Sequence, residues 1–187
     1  MAEAALHDTL DAVRSANADE HVIALDGDVG PWLPVGFRVV AQRGDSFSER
    51  LAAAWADCGG PTLQIGMDTP QVTSALLDES MELLRTSDSV LGLAVDGGWW
   101  ALGLHAEEPT AFDGVPMSEA STGLEQRRRL RELGLEPRLL PPLVDVDTWA
   151  DALAVSECAP EGRFGTRVRA LRRELEHREP VRTEVRP

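Results

Sequence analysis

The chain has 187 residues, a net charge of −14 and 43% apolar content. That length suits one domain with a sizeable core, and 27% charged beside 43% apolar residues describes a folded globule, not a disordered tail. All 18 basic residues are Arg, and the acidic balance argues against nucleic acid or an anionic membrane surface as partner, since both are held mainly by cations.

No stretch approaches the roughly 20 apolar residues of a membrane span. The acidic, helix-like start lacks the basic opening of a signal peptide. Cys58 and Cys158 have neither zinc nor redox spacing and read as reduced thiols packed as small apolar groups. The expectation is a soluble cytoplasmic protein.

In chain order, Ala2 to Asn17 reads as an amphipathic helix carrying Ala5, Leu6, Leu10 and Val13. His21 to Leu25 is a short strand ending in Asp26-Gly27-Asp28, and Phe37 to Ala41 is a second. Ser46 and Glu49 form a capping box for a helix with Leu51, Ala54 and Trp55 on one face. Pro61 to Gly66 is a third strand. Thr73 caps a helix whose apolar set is Leu76, Leu77, Met81 and Leu84.

Ser89 to Val95 and Gly98 to Leu104 flank Asp96-Gly97, the strongest hairpin pattern in the chain. Thr122 to Gly134 is an Arg-rich helix, whose Arg127, Arg128, Arg129 and Arg131 read as a solvated face. Arg138 to Leu140 begins another strand, and Asp145-Val146-Asp147-Thr148 leads into a short helix. Phe164, Val168, Leu171 and Leu175 line a C-terminal helix. Residues 1–166 are expected to form the main domain and 167–187 an amphipathic helix and tail.

Strands alternating with helices imply an α/β fold, a mostly parallel sheet with helices on both faces. Ligands in such sheets sit beyond the carboxyl ends of the strands. That rule selects Asp26, Gln42 to Asp45, Asp68 and the Asp145/Asp147 pair as one rim. Its carboxylates suit Mg²⁺ or Mn²⁺ better than zinc, and a divalent ion lets an acidic protein hold a nucleotide phosphate. His7, His21, His105 and His177 have no ligand spacing.

Each residue also has a structural reading. Asp68 is equally a turn residue, Asp147 or Thr148 reads first as a good N-cap for the helix at Trp149, and Asp145 has no such role. Asp96 suits a tight turn; in a functional role it would orient an acceptor hydroxyl or act as base. Trp99 and Trp100 point to opposite faces, one into the core and the other free to stack on a sugar or base. Arg43, ahead of a capped helix, suits either a phosphate or the open surface.

Taken in order, residues 65–70 (IGMDTP), 95–103 (VDGGWWALG) and 145–148 (DVDT) resemble a bacterial family of glycosyltransferase-A-like proteins. That family is similar to phospholactate guanylyltransferases and molybdenum-cofactor nucleotidyltransferases. Gln42-Arg43-Gly44, Glu49-Arg50-Leu51 and Pro116-Met117-Ser118 fit the same pattern, and the likeness covers roughly residues 2 to 166.

The resemblance implies a Rossmann-like, three-layer sandwich that binds a nucleotide diphosphate through Mg²⁺ or Mn²⁺. Asp68, with Asp145 or Asp147, would hold the ion; Gln42, Arg43, Gly44 and Trp99 would contact the nucleotide, and Asp96 the acceptor. Relatives usually carry Tyr where Trp99 and Trp100 stand. They also begin with a strand and a Gly-rich loop bearing Lys, Thr and Arg, whereas this sequence starts at the following helix and contains no Lys. The central strand of the usual 3-2-1-4 order is thus expected to be lacking, with activity impaired. Three outcomes remain open: the strands around His21 and Leu63 pair directly, another chain fills the gap, or the true start lies upstream.

The implied reaction is sugar transfer from a nucleotide sugar to a small-molecule acceptor. Alternatives are a nucleotidyltransferase using a nucleoside triphosphate, or a non-catalytic accessory protein. A homo-oligomer is compatible with each.

Overall fold

A computed structural model describes residues 1–178 of the chain. Helix α1 (Ala2–Ser15) leads to β1 (His21–Leu25) and β2 (Phe37–Ala41), then α2 (Phe47–Cys58), β3 (Thr62–Ile65) and α3 (Ser74–Arg85). Strands β4 (Ser89–Leu93) and β5 (Trp99–Leu104) precede α4 (Thr122–Glu132) and β6 (Arg138–Leu139), and α5 (Trp149–Cys158) and α6 (Arg163–Arg178) close the order. None of these helices is long and apolar enough to cross a membrane.

The caps expected from sequence start their helices. Ser46 Oγ accepts the Glu49 amide while Glu49 returns to the Ser46 amide, and Thr73 Oγ1 accepts the Leu76 amide.

The fold is α/β, but the sheet is not mostly parallel. β1 and β2 form a parallel pair of their own, while β3-β5-β4-β6 is a mixed sheet with β5 antiparallel to both neighbours and β4 parallel to β6. The reason is local. The Asp96-Gly97 turn folds β5 straight back on β4, and β5 then occupies the position beside β3 where a crossover would have placed a parallel strand. Direct pairing of the strands around His21 and Leu63 does not occur, because β1 and β3 belong to separate sheets.

Apolar side chains cover both faces of the mixed sheet. Leu91, Leu102 and Leu104 pack with Leu51 and Trp55 of α2 and Leu130 of α4. Val90, Trp100 and Ala101 pack with Leu77 and Leu84 of α3 on the other face, with Val13 of α1 against them. A register shift between Gly92 and Leu93 puts consecutive residues Trp100 and Ala101 on the α3 face and Trp99 on the opposite one. Gly92 is required there, since a Cβ would lie 2.4 Å from the Trp100 indole nitrogen.

α6 starts before the expected boundary at residue 166, and its Phe164 and Val168 are buried against Ala5 of α1 and Ala152 and Val155 of α5. Leu175, expected on the same apolar face, is exposed. Residues 179–187 of the expected tail lie outside the described residues.

Candidate functional site

Strand β3 ends at Ile65, and Gly66 still donates to Trp100 O, so the chain leaves the sheet edge at Met67-Asp68. The segment after β6 is drawn to the same place by three contacts. Leu143 N donates to Leu93 O, Val95 N to Leu143 O, and Val146 N to Asp68 O at 3.0 Å. The Gln71 side-chain amide adds a bond to Val144 O at 2.7 Å. Val144 and Val146 pack on the α1–α5–α6 cluster, so the alternation of an extended segment turns Asp145 the other way, into a cleft.

That cleft, about 680 Å³, is lined by Asp26, Gln42, Asp68, Asp96, Trp99 and Asp145, among others. The expected rim is therefore assembled in part. Asp147 is exposed and outside the cleft lining, yet near enough to act on both Asp68 and Asp145. It is not the helix cap: Thr148 is, forming a capping box with Asp151.

Burial and the neighbouring carboxylates set the electrostatics. Desolvation, reinforced by Asp147 and Asp96, pushes the Asp68 carboxyl above its ordinary range. Asp145 is pushed up to about 7, first by burial and then by Asp68, Asp96, Asp147 and Asp151. Its Oδ1 is buried without a hydrogen-bond partner, so the site holds an acceptor that nothing in the protein satisfies. Among the described residues, no three His, Cys, Asp or Glu side chains form a ready-made metal cage.

Asp96 sits in the turn expected of it, its Oδ1 accepting the Gly98 amide at 2.8 Å. The turn is clamped by α4. Gly123 N donates to Gly97 O at 2.8 Å, and a Cβ on Gly97, whose φ is +102°, would lie 2.0 Å from Ala120 O. Of the tryptophan pair, Trp100 is the buried one, donating to Pro141 O at 3.0 Å, while Trp99 stacks on Phe112 with centroids 6.4 Å apart and faces the cleft.

Gln42 lines the cleft, and its side-chain amide donates to Ala24 O at 3.1 Å. Arg43 and Gly44 are placed elsewhere. The Arg43 guanidinium makes a two-pronged pair with Asp57 at 2.7 and 2.8 Å. Gly44, with φ +124°, shapes the entry to α2, where a Cβ would lie 2.5 Å from that of Glu49. Of the Arg cluster, Arg128 and Arg131 pair with Glu125, Glu132 and Glu136, as a solvated face would. Cys58 and Cys158 are both free thiols, and Cys158 is exposed instead of packed.

Glu119, Ser118 and Trp32 also line the cleft; Ser118 belongs to the Pro116-Met117-Ser118 segment that fits the family pattern, whereas nothing in the sequence marked Glu119 or Trp32. Ser118 holds φ +60°, an uncommon backbone state for a residue with a side chain.

Among solved structures, the chain is similar to a Desulfovibrio desulfuricans G20 protein provisionally described as a nucleotide-diphospho-sugar transferase. The two share 26% identity at a TM-score of 0.78, over 94% of this chain and 82% of that one. It is also similar in fold to Rv0371c from Mycobacterium tuberculosis H37Rv, at 20% identity and a TM-score of 0.53, over 81% and 82% of the two chains. No curated protein matches the chain. The family model described as "Uncharacterized protein conserved in bacteria (DUF2064)" matches residues 4–119, and the chain belongs to that family.

Proposed function

We propose that this chain is a divalent-cation-dependent transferase domain that moves a sugar from a nucleotide-diphospho-sugar to a small hydroxylated acceptor. One observation carries the reading. Five carboxyl groups, those of Asp26, Asp68, Asp96, Glu119 and Asp145, line a cleft with no Arg or His among its lining residues. Such a cleft repels a bare diphosphate, whereas a cation held by carboxylates reverses that sign. Likeness to the Desulfovibrio protein supports the choice of substrate class.

Asp68 and Asp145 fit a hard cation. Both are pushed toward protonation, first by burial and then by nearby carboxylates (Asp147 and Asp96 for Asp68, Asp68 foremost for Asp145), and the unpartnered Asp145 Oδ1 is an open ligand position. Mg²⁺ needs only one or two carboxylates when substrate phosphates and waters complete its shell. When bound, Mg²⁺ or Mn²⁺ would neutralise charge on the diphosphate leaving group. Asp147, exposed and outside the lining, adds negative charge that acts on both Asp68 and Asp145.

The remaining work falls to the chain's own side chains. Gln42 and Trp99 would bound the donor, Trp99 offering a ring face for a sugar or base. The anomeric carbon–oxygen bond to the diphosphate breaks as the acceptor oxygen bonds that carbon, and Asp96 takes up the acceptor's proton. Arg43, engaged by Asp57, has no direct part in this reading.

A thermal-shift panel tests it. Nucleotide sugar with Mn²⁺ should protect the wild-type chain, by about 2.7 kcal/mol at a hundredfold excess over Kd. Neither component alone should match this, and Asp68→Asn should abolish it. Protection by triphosphates instead, with pyrophosphate released, would replace the reading with nucleotidyl transfer. No protection by any nucleotide would end it.

A further inference from the structure

Residues 27–36 join two parallel strands, so they must travel from the carboxyl end of β1 back to the amino end of β2. Such crossovers are usually helical, but this one is irregular, and its backbone makes a single hydrogen bond, Leu33 N to Gly30 O at 3.2 Å. Both ends are glycines, Gly27 at φ +116° and Gly36 at φ +104°. A Cβ on either would meet nothing within 4 Å, so glycine stands there for backbone freedom and not for space. Between them Pro31 and Pro34 bracket Trp32 and Leu33 and lock their own φ. Free ends around a stiff centre let a segment swing as one unit.

Trp32 is the part of this segment that enters the site. Asp28, Val29, Pro31 and Val35 are exposed, whereas Trp32 is half-buried and lines the 680 Å³ cleft. Its indole folds back on Gly30, where a Cβ would lie 2.6 Å from Cδ1 and Nε1 of the ring. The orientation of the ring is therefore set inside the segment and travels with it.

The cleft thus receives an indole from each sheet. Trp99 comes from β5, just after the Asp96 turn, and Phe112 stacks against it. Trp32 comes from the β1–β2 side, which also supplies Asp26, Phe37 and Gln42 to the lining. A nucleotide-diphospho-sugar carries its sugar and its base at opposite ends of the diphosphate. With the diphosphate at a cation on Asp68 and Asp145, the sugar falls to Trp99 beside the acceptor turn and the base to the other indole.

We infer that residues 27–36 are a strap that closes on the bound nucleotide, and that Trp32 is a specificity-determining residue whose indole stacks on the nucleobase. A ligand can close the strap only by binding the closed state better, and the base supplies that difference where a bare diphosphate does not. The assignment presumes the nucleotide reading above, and the experiment below separates the two.

Calorimetry on the full chain with Mn²⁺ compares inorganic pyrophosphate with the tightest-bound of adenosine, guanosine and uridine diphosphates. Trp32→Leu should weaken the nucleoside diphosphate about tenfold, as loss of a base–aromatic stack does, and leave pyrophosphate within about twofold. Trp32→Phe keeps an aromatic face and should recover most of the loss. In the wild-type chain, amide exchange across residues 27–36 should slow about tenfold with Mn²⁺ and the nucleoside diphosphate, but not with Mn²⁺ and pyrophosphate. Unchanged nucleotide affinity in Trp32→Leu, an equal loss for pyrophosphate, or unprotected amides would each overturn the inference, and the last needs no variant. Pyrophosphate bound without any nucleoside diphosphate would overturn it and leave the cation site standing. Binding of neither would end both.

Discussion

The Val146 amide donates to the Asp68 carbonyl at 3.0 Å, and this bond fixes where two distant carboxylates meet. Asp68 follows β3, whereas Asp145 lies after β6, tied through Leu143 to the end of β4. A backbone bond holds the two segments in one register whatever the charge state of the side chains. The carboxylates are thus pressed together by structure that does not depend on their mutual energy, the condition under which a site stores repulsion for a cation to relieve.

Asp145 makes the cation-free chain less stable in base. Its carboxyl titrates near 7 in the fold and near 4 when unfolded, so the folded state binds the proton more tightly. Stability from this group is greatest below the unfolded value and is lost as pH rises through about 7. Asp145→Asn should therefore raise the melting temperature at pH 8, by roughly 2–4 °C for a penalty of about 1 kcal/mol after allowing for partial exposure. At pH 4 it should change little. Melting curves across pH 4–9 check the sign.

Cation binding should oppose that proton. Below pH 7 the apparent Kd for Mn²⁺, measured by calorimetry, should weaken about tenfold per pH unit, because Asp145 must release its proton to act as a ligand. A Kd independent of pH between 5.5 and 7 would remove Asp145 from the ligand set.

Gly97 positions Asp96 by close approach. In Gly97→Ala the added Cβ would meet Ala120 O at 2.0 Å, at a φ of +102° that disfavours any side chain. A destabilisation of about 2 kcal/mol or more is expected from urea unfolding. Any transferase activity should fall further than Asp96→Asn alone predicts, since the turn itself moves.

Asp8 caps α6 from α1. Its carboxylate oxygens accept the Arg163 amide at 3.0 Å and the Phe164 amide at 2.8 Å. Asp8→Ala should cost about 1–2 kcal/mol, the usual loss for an N-cap, and Phe164→Ala about 3–5 kcal/mol from cavity formation beside Val155 and Val168. Chemical denaturation measures both, and neither should alter cation affinity at the cleft.

Arg43→Ala tests a residue that spacing suggested and tertiary contacts redirected. Its guanidinium is paired with Asp57, so nucleotide affinity should stay within twofold of wild type. A tenfold loss would return Arg43 to the site.

The sequence alone determined most local structure. Period and capping marked the helices opened by Ser46, Thr73 and Thr148, and Asp96-Gly97 marked the turn between β4 and β5, because these rest on contacts within a few residues. It also singled out the carboxylates at positions 68, 96 and 145, since polar residues just past buried strands stand out against an apolar pattern. Pairing between segments was a different matter. Nothing local says that β5 enters between β3 and β4, that β1 and β3 face each other unpaired, or that Asp8 caps a helix at the far end of the chain. Arg43 and Asp57 show the same limit: which carboxylate a guanidinium meets depends on where helix α2 lies. Those choices are settled by which apolar faces can be buried together, a property of the whole packed chain that no short window contains.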